Sequence, residues 1–96
     1  MSALGDLSPY RTIAVDTLVL VDKGEIPAAR LRVKDLETAW DKSEATLKPK
    51  DKAIWTSIDG LIDAALTDLR SPNPQPATCA ASLKALIAKV EAIDRA

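Results

Sequence analysis

Residues 27–47, PAARLRVKDLETAWDKSEATL, carry the clearest structural signal in this chain. Small and apolar residues recur along the segment at alternating spacings of four and three, at Ala29, Val33, Leu36, Trp40, Ser43 and Leu47. This spacing follows the turn of an α-helix and places all of these residues on one face. We therefore predict an amphipathic helix that buries a single stripe against the rest of the protein.

Three further helices are predicted on either side of this segment, with limits set by proline, glycine and capping residues. Ser8 is expected to cap the first helix ahead of Pro9, and Gly24 to end it in a left-handed conformation. Asp51 is expected to cap the third helix, and the alternating prolines of residues 71–76 exclude helix from the last connection. The predicted helices span residues 9–23, 27–47, 52–70 and 77–93.

The four helices are predicted to form one all-α domain over residues 1–96, a four-helix up-down-up-down antiparallel bundle. A chain of 96 residues supports a single hydrophobic core, and its short connections favour antiparallel neighbours. Phenylalanine is absent, so we expect an aliphatic core with Trp40, Trp55 and Tyr10 as its largest side chains.

The composition argues against several classes of function. Thirteen basic and fourteen acidic residues give a net charge of −1, which offers no electrostatic attraction for nucleic acid or an anionic membrane. The chain has no histidine, and the aspartate pair Asp59 and Asp63 lies at the edge of a helix rather than in a recognisable cleft, so we predict no enzyme. The lone Cys79 is expected to be a buried, inert thiol, the alternative being a reactive or intermolecularly paired one.

The sequence is compatible with two compartments. Residues 1–7 contain no basic residue and do not read as a secretory signal. The apolar run at residues 13–21 is shorter than the roughly 20 residues that cross a bilayer. The protein is expected in the cytoplasm, or in the periplasm if a leader has been removed from it.

One candidate metal site lies on a second stripe of the helix predicted at residues 27–47. Glu37, Asp41 and Glu44 share one face within two turns, and oxygen-rich sites of this kind suit hard cations such as Ca²⁺ or oxidised iron. The alternative is a solvated face on which Glu44 pairs with Lys48, four residues later.

Two surfaces are predicted to contact a partner. On the first helix, Val15 and Val19 project from the side opposite the buried residues. The outer face of the third helix carries only small residues, namely Ala53, Thr56, Gly60, Ala64 and Thr67. Glycine destabilises a helix interior by about 1 kcal/mol relative to alanine, so the close approach of another helix would explain Gly60. Our candidate partner-binding residues are Val15, Val19, Thr56, Gly60 and Ala64, the alternative being an ordinary solvated surface.

A resemblance to a known family lies in residues 40–47, WDKSEATL, which follow a Gly-Glu turn at residues 24–25 and precede Asp51. These features are similar to the extracytoplasmic helical domain that accompanies bacterial high-affinity iron permeases. That domain also has a Gly-acidic turn, an alanine-rich helix and an aromatic-then-Glu-x-x-Leu stretch. The likeness extends over all four predicted helices, whereas the permease's own Arg-Glu-x-x-Glu signature is absent.

The resemblance implies a periplasmic domain and makes Glu44, with Glu37 and Asp41, the residues to test for iron contact. Taken with the surfaces described above, it leads to two expectations. The first is a non-catalytic interaction or accessory module of a bacterial envelope system, which binds a protein partner or a second copy of itself. The alternative is a periplasmic domain that holds iron or another hard cation weakly through these carboxylates. No other cofactor is expected.

Overall fold

The computed structural model describes residues 3–95, which form four α-helices and one short 3-10 helix. The helices are α1 (Ser8–Asp22), α2 (Ile26–Leu47), α3 (Lys52–Leu69) and α4 (Pro76–Arg95), and the 3-10 helix spans Lys48–Lys50 between α2 and α3. The predicted all-α four-helix bundle is confirmed. The predicted limits agree with the observed ones to within two residues.

The helices are arranged as a ring in which each one packs against its two neighbours. α1 packs on α2 and α4, and α3 packs on the same two helices from the other side. Polar contacts show that neighbours run in opposite directions. Arg11 near the start of α1 pairs with Glu91 near the end of α4 at 3.5 Å, and Asp68 near the end of α3 accepts a hydrogen bond from Ser82 near the start of α4. The predicted up-down-up-down order is therefore correct.

The stripe predicted on α2 forms one wall of the core. All its members except the half-buried Leu47 are buried, including Ser43, whose hydroxyl donates a hydrogen bond to the Trp40 carbonyl oxygen at 2.6 Å. Leu4 and Leu7, which precede α1, are also fully buried. The sequence analysis did not place these two leucines in the core, because no helical periodicity includes them.

The aromatic side chains cluster at one end of the bundle, which we call the aromatic end. Trp40 and Trp55 stack with their ring centroids 5.1 Å apart, and Tyr10 meets Trp40 edge-on at the same distance. Trp40 is 1% exposed and Trp55 is 5% exposed. Both indole N–H groups are buried and make no hydrogen bond within residues 3–95. The predicted role of both tryptophans as core anchors agrees with this burial.

The turn between α1 and α2 depends on Gly24, as predicted. Its φ of +77° lies in the left-handed region that L-residues with a side chain seldom adopt. Two backbone hydrogen bonds of 2.9 Å close the end of α1, from Gly24 N–H to the Val21 carbonyl and from Glu25 N–H to the Leu20 carbonyl. This pair of bonds defines a Schellman motif, which satisfies carbonyl groups that the helix would otherwise leave unpaired.

One predicted cap is wrong. Ser8 is the first residue of α1 rather than its N-cap, and its side chain makes no capping hydrogen bond. Asp6 provides the polar contact instead, because its carboxylate accepts a hydrogen bond from the Ser8 backbone N–H at 2.9 Å. The second predicted cap is confirmed: the Asp51 side chain accepts a hydrogen bond from the Ile54 N–H at 3.1 Å.

Candidate functional site

The outer face of α3 is exposed along its full length. Its five small residues, Ala53, Thr56, Gly60, Ala64 and Thr67, all face solvent; we call them the small-residue face. A side-chain carbon built at Gly60 would have no atom of the chain within 4 Å. No packing contact within the described chain therefore requires a glycine at this position.

The two candidate valines of α1 differ in exposure. Val19 is 45% exposed, whereas Val15 is half-buried and is thus a weaker candidate for a contact surface than the helical wheel indicated. Val19 lines a shallow cleft of about 340 Å³ with Leu20, Asp16 and Arg32. The floor of this cleft is apolar, and an Arg32–Asp16 ion pair of 2.9 Å borders it.

The structure does not bring the two predicted surfaces together. α1 and α3 occupy diagonal positions in the bundle, with α2 and α4 between them. Val19 and Gly60 therefore belong to two separate surfaces. Sequence analysis also missed Leu31 on α2, which at 73% exposed is the most exposed large apolar side chain of residues 3–95. A single exposed leucine is common on soluble proteins and does not define a site.

The three carboxylates proposed as metal ligands have separate surroundings. Arg70 donates two hydrogen bonds to Glu37, at 2.8 and 3.2 Å, and this contact holds the pKa of Glu37 below its usual value. Glu44 pairs with Lys48 at 3.2 Å, which is the solvated alternative described above. No three carboxylate or thiol groups within residues 3–95 are arranged so that they could hold a metal ion. The metal hypothesis remains a prediction without structural support.

Asp59 of α3 lies within electrostatic reach of carboxylates on both α2 and α3. Asp59 of α3 is partly buried between the helices, and its pKa is raised, first by burial and then by the negative charges of Asp63, Asp41 and Glu44. The Trp40 indole N–H is close enough to the Asp59 carboxylate to oppose this rise, although it does not reach hydrogen-bond geometry. Sequence analysis noted the pair Asp59 and Asp63 but could not place α2 carboxylates beside it.

Arg30 fixes the opposite end of the same interface. Its Nε–H donates to the Leu69 carbonyl at 2.6 Å, and its terminal Nη2 donates to the Ser71 carbonyl at 3.0 Å. The sequence analysis did not foresee this contact, because it joins residues about forty positions apart. The contact joins α2 to the last residue of α3 and to the first residues of the connection that follows it.

The remaining features are a buried thiol and a cleft on another side of the bundle. Cys79 is fully buried, as predicted, and burial raises the pKa of its thiol above the usual value. A cleft of about 430 Å³ lies between the end of α1 and the start of α4, and its lining includes Ala77, Ala80 and Ala81. No helix within residues 3–95 is both long enough and apolar enough to span a membrane.

Comparison with known proteins identifies no relative. No family model, no curated protein and no solved structure matches this chain. The resemblance to the helical domain of iron permeases therefore stays a prediction that rests on residues 40–47 and their surroundings.

Proposed function

We propose that this protein is a non-catalytic interaction module that docks a helix of a protein partner, or of a second copy, on the small-residue face of α3. The observation that carries this proposal is the exposed Gly60 in the middle of an eighteen-residue helix, with open space around it. Glycine at this position lowers the stability of the helix, and no packing contact within the described chain compensates for this loss.

The chemistry of the face suits a closely packed helix. Side chains no larger than threonine let two helix backbones approach more closely than leucine or isoleucine would, which increases van der Waals contact along both helices. The face extends from Ala53 to Thr67, about four turns, which matches the length of a typical helix contact. Val19 on α1 offers a second, smaller apolar contact on another side of the bundle.

The likeness of residues 40–47 to the iron-permease domain supports a place for this module in a bacterial envelope system. The alternative of a metal-handling domain has less support, because Glu37 and Glu44 each pair with a basic residue.

The test compares Gly60→Leu with Ala88→Leu. Both place the same side chain on an exposed helix position, but Ala88 lies on α4, outside the small-residue face. Sedimentation over a range of concentrations measures self-association, and crosslinking in cell extract followed by identification of the captured proteins measures partner binding. We expect Gly60→Leu to abolish whichever association the parent shows and Ala88→Leu to leave it unchanged. Equal association of the parent and Gly60→Leu would refute the proposed surface.

A further inference from the structure

The α3–α4 connection, residues 70–75, has a sequence that favours a straight backbone. Pro72 and Pro74 lie within it and Pro76 follows it, so that a proline stands at every second position. Each proline holds its own φ at about −65° and disfavours helix in the residue before it. This pattern is typical of polyproline II, in which the backbone from Arg70 to Pro76 would span roughly 19 Å.

The bundle requires this connection to reverse direction instead. α3 and α4 are antiparallel neighbours, as the hydrogen bond between Asp68 and Ser82 shows, and the axes of packed helices lie about 8–10 Å apart. The backbone accordingly bends at residues 71–73. The hydrogen bond inside the bend, from Asn73 N–H to the Ser71 hydroxyl oxygen, is long at 3.3 Å. The two helices therefore impose a bend that the prolines do not favour.

One side chain of another helix holds the start of the bent connection. Arg30 of α2 bonds the carbonyl groups of Leu69 and Ser71, which both precede the first proline of the connection. Within residues 3–95, no hydrogen bond joins residues 72–74 to any helix. These residues could therefore straighten without the loss of a hydrogen bond to the bundle.

The inner surface of α4 fits a second copy of the chain as well as its own. Its buried residues, which face α1 and α3, are Cys79, Ala80, Leu83, Leu86, Val90 and Ile93. An α4 supplied by another copy would meet the same two helices with the same side chains. An exchange of α4 between two copies therefore keeps every helix–helix interface and changes only the connection.

We propose that two copies of this chain exchange α4, so that each bundle contains α1, α2 and α3 of one copy and α4 of the other. The connection straightens in this dimer and crosses from one bundle to the next. The alternating prolines favour the exchanged form because they favour an extended connection, whereas the bond from Arg30 to Ser71 stabilises the bent connection of the monomer. The exchange does not depend on the proposed function, since the small-residue face takes no part in it.

Disulfide trapping tests the exchange directly. Two variants carry Cys79→Ser, and one of them adds Asp68→Cys on α3 whereas the other adds Ser82→Cys on α4. They are mixed, unfolded in urea, refolded at high concentration and oxidised in a glutathione buffer. Because positions 68 and 82 are in contact in the bundle, exchange places one cysteine of each variant side by side. The control replaces Ser82→Cys with Ala88→Cys, at an exposed position of α4. We expect severalfold more disulfide-linked heterodimer than in this control, and equal yields would overturn the proposal.

Size-exclusion chromatography after refolding at high concentration provides a second test without new cysteines. We expect the parent to form a dimer, and the double variant Pro72→Ala/Pro74→Ala to form severalfold less of it. Pro49→Ala, which removes a proline from the 3-10 helix between α2 and α3, is the matched control and should leave the dimer fraction unchanged. Gly60→Leu should also leave it unchanged. A parent that stays monomeric would overturn the exchange, and so would a dimer that Gly60→Leu abolishes and the double proline variant retains, because that dimer would form through the small-residue face.

Discussion

Arg30 of α2 caps the end of α3 by donating its Nε–H to the carbonyl oxygen of Leu69 at 2.6 Å. The same guanidinium reaches the Ser71 carbonyl, so one side chain satisfies two acceptors at a helix end whose carbonyl groups lack intrahelical partners. α3 and the proline-rich connection are therefore held in place by a residue from another helix. Arginine suits this role because its planar fork of donors can serve two carbonyl groups at once.

Arg30→Ala should lower the free energy of unfolding by about 1.5–3 kcal/mol, the usual range for hydrogen bonds that involve a charged group. Arg30→Lys should restore only part of this loss, because a single ammonium cannot reproduce the fork. Arg70→Ala is the matched control: its partner Glu37 is partly exposed, so we expect a loss below about 1 kcal/mol. Urea unfolding provides the measurement, and equal losses for Arg30→Ala and Arg70→Ala would contradict the capping role.

Gly60→Ala and Gly24→Ala should change stability in opposite directions. At Gly60 the added carbon meets open space within a helix, so we expect a gain of about 1 kcal/mol from helix propensity alone. At Gly24 the positive φ disfavours alanine, so we expect a loss. The measurement is the thermal unfolding temperature of the two variants and of the parent. A lower unfolding temperature for Gly60→Ala would mean that the small-residue face already packs against something in solution.

Asp59→Asn should stabilise the protein at neutral pH but not in acid. A carboxyl whose pKa is raised in the folded state above its ordinary 3.8 lowers stability once the pH exceeds both values, because ionisation is then harder in the folded state. Well below 3.8 the group is protonated in both states, and the penalty vanishes. Urea unfolding of the parent and the variant should therefore give curves that converge as the pH falls. A constant difference at all pH values would show that the change acts by another route.

Metal addition should leave the unfolding temperature unchanged. Glu37 forms an ion pair with Arg70, and Glu44 forms one with Lys48. We therefore expect Fe³⁺, Ca²⁺, Cu²⁺ and Zn²⁺ not to stabilise the folded protein selectively. The comparison is with the triple variant Glu37→Gln, Asp41→Asn and Glu44→Gln. A rise in unfolding temperature that depends on ion concentration and is lost in the triple variant would instead support the metal-handling alternative.

Local signals allowed the fold to be predicted closely. The turn at Gly24 and the cap at Asp51 depend on residues only a few positions apart, and both agree with the structure. The prediction for Ser8 was wrong because the side chain of Asp6, two residues earlier, accepts the hydrogen bond from the backbone at the start of α1. A hydroxyl before a proline indicates that a helix begins nearby, but it does not show which of two neighbouring polar side chains makes the hydrogen bond at its start.

The candidate sites were harder to predict because they depend on contacts between helices. Sequence periodicity placed Gly60 on an outer face correctly, since one helix determines that position. The same reasoning did not foresee that Arg30 bonds the end of α3, and it did not place Asp59 near the α2 carboxylates that act on it. Helix rotation is visible in a sequence, whereas the vertical register of one helix against its neighbour is not.

The contact between Arg11 and Glu91 has a practical consequence for the order of the chain. Because the start of α1 lies beside the end of α4, a short linker could join these two helices and the backbone could be cut elsewhere. The exposed connection between α3 and α4, around Asn73, is the natural place for the cut. A circular permutant that begins with α4 and ends with α3 would keep every helix–helix interface described above. If this permutant folds, the contacts between helix faces are sufficient to specify the bundle. The order in which the loops connect the helices is then not essential.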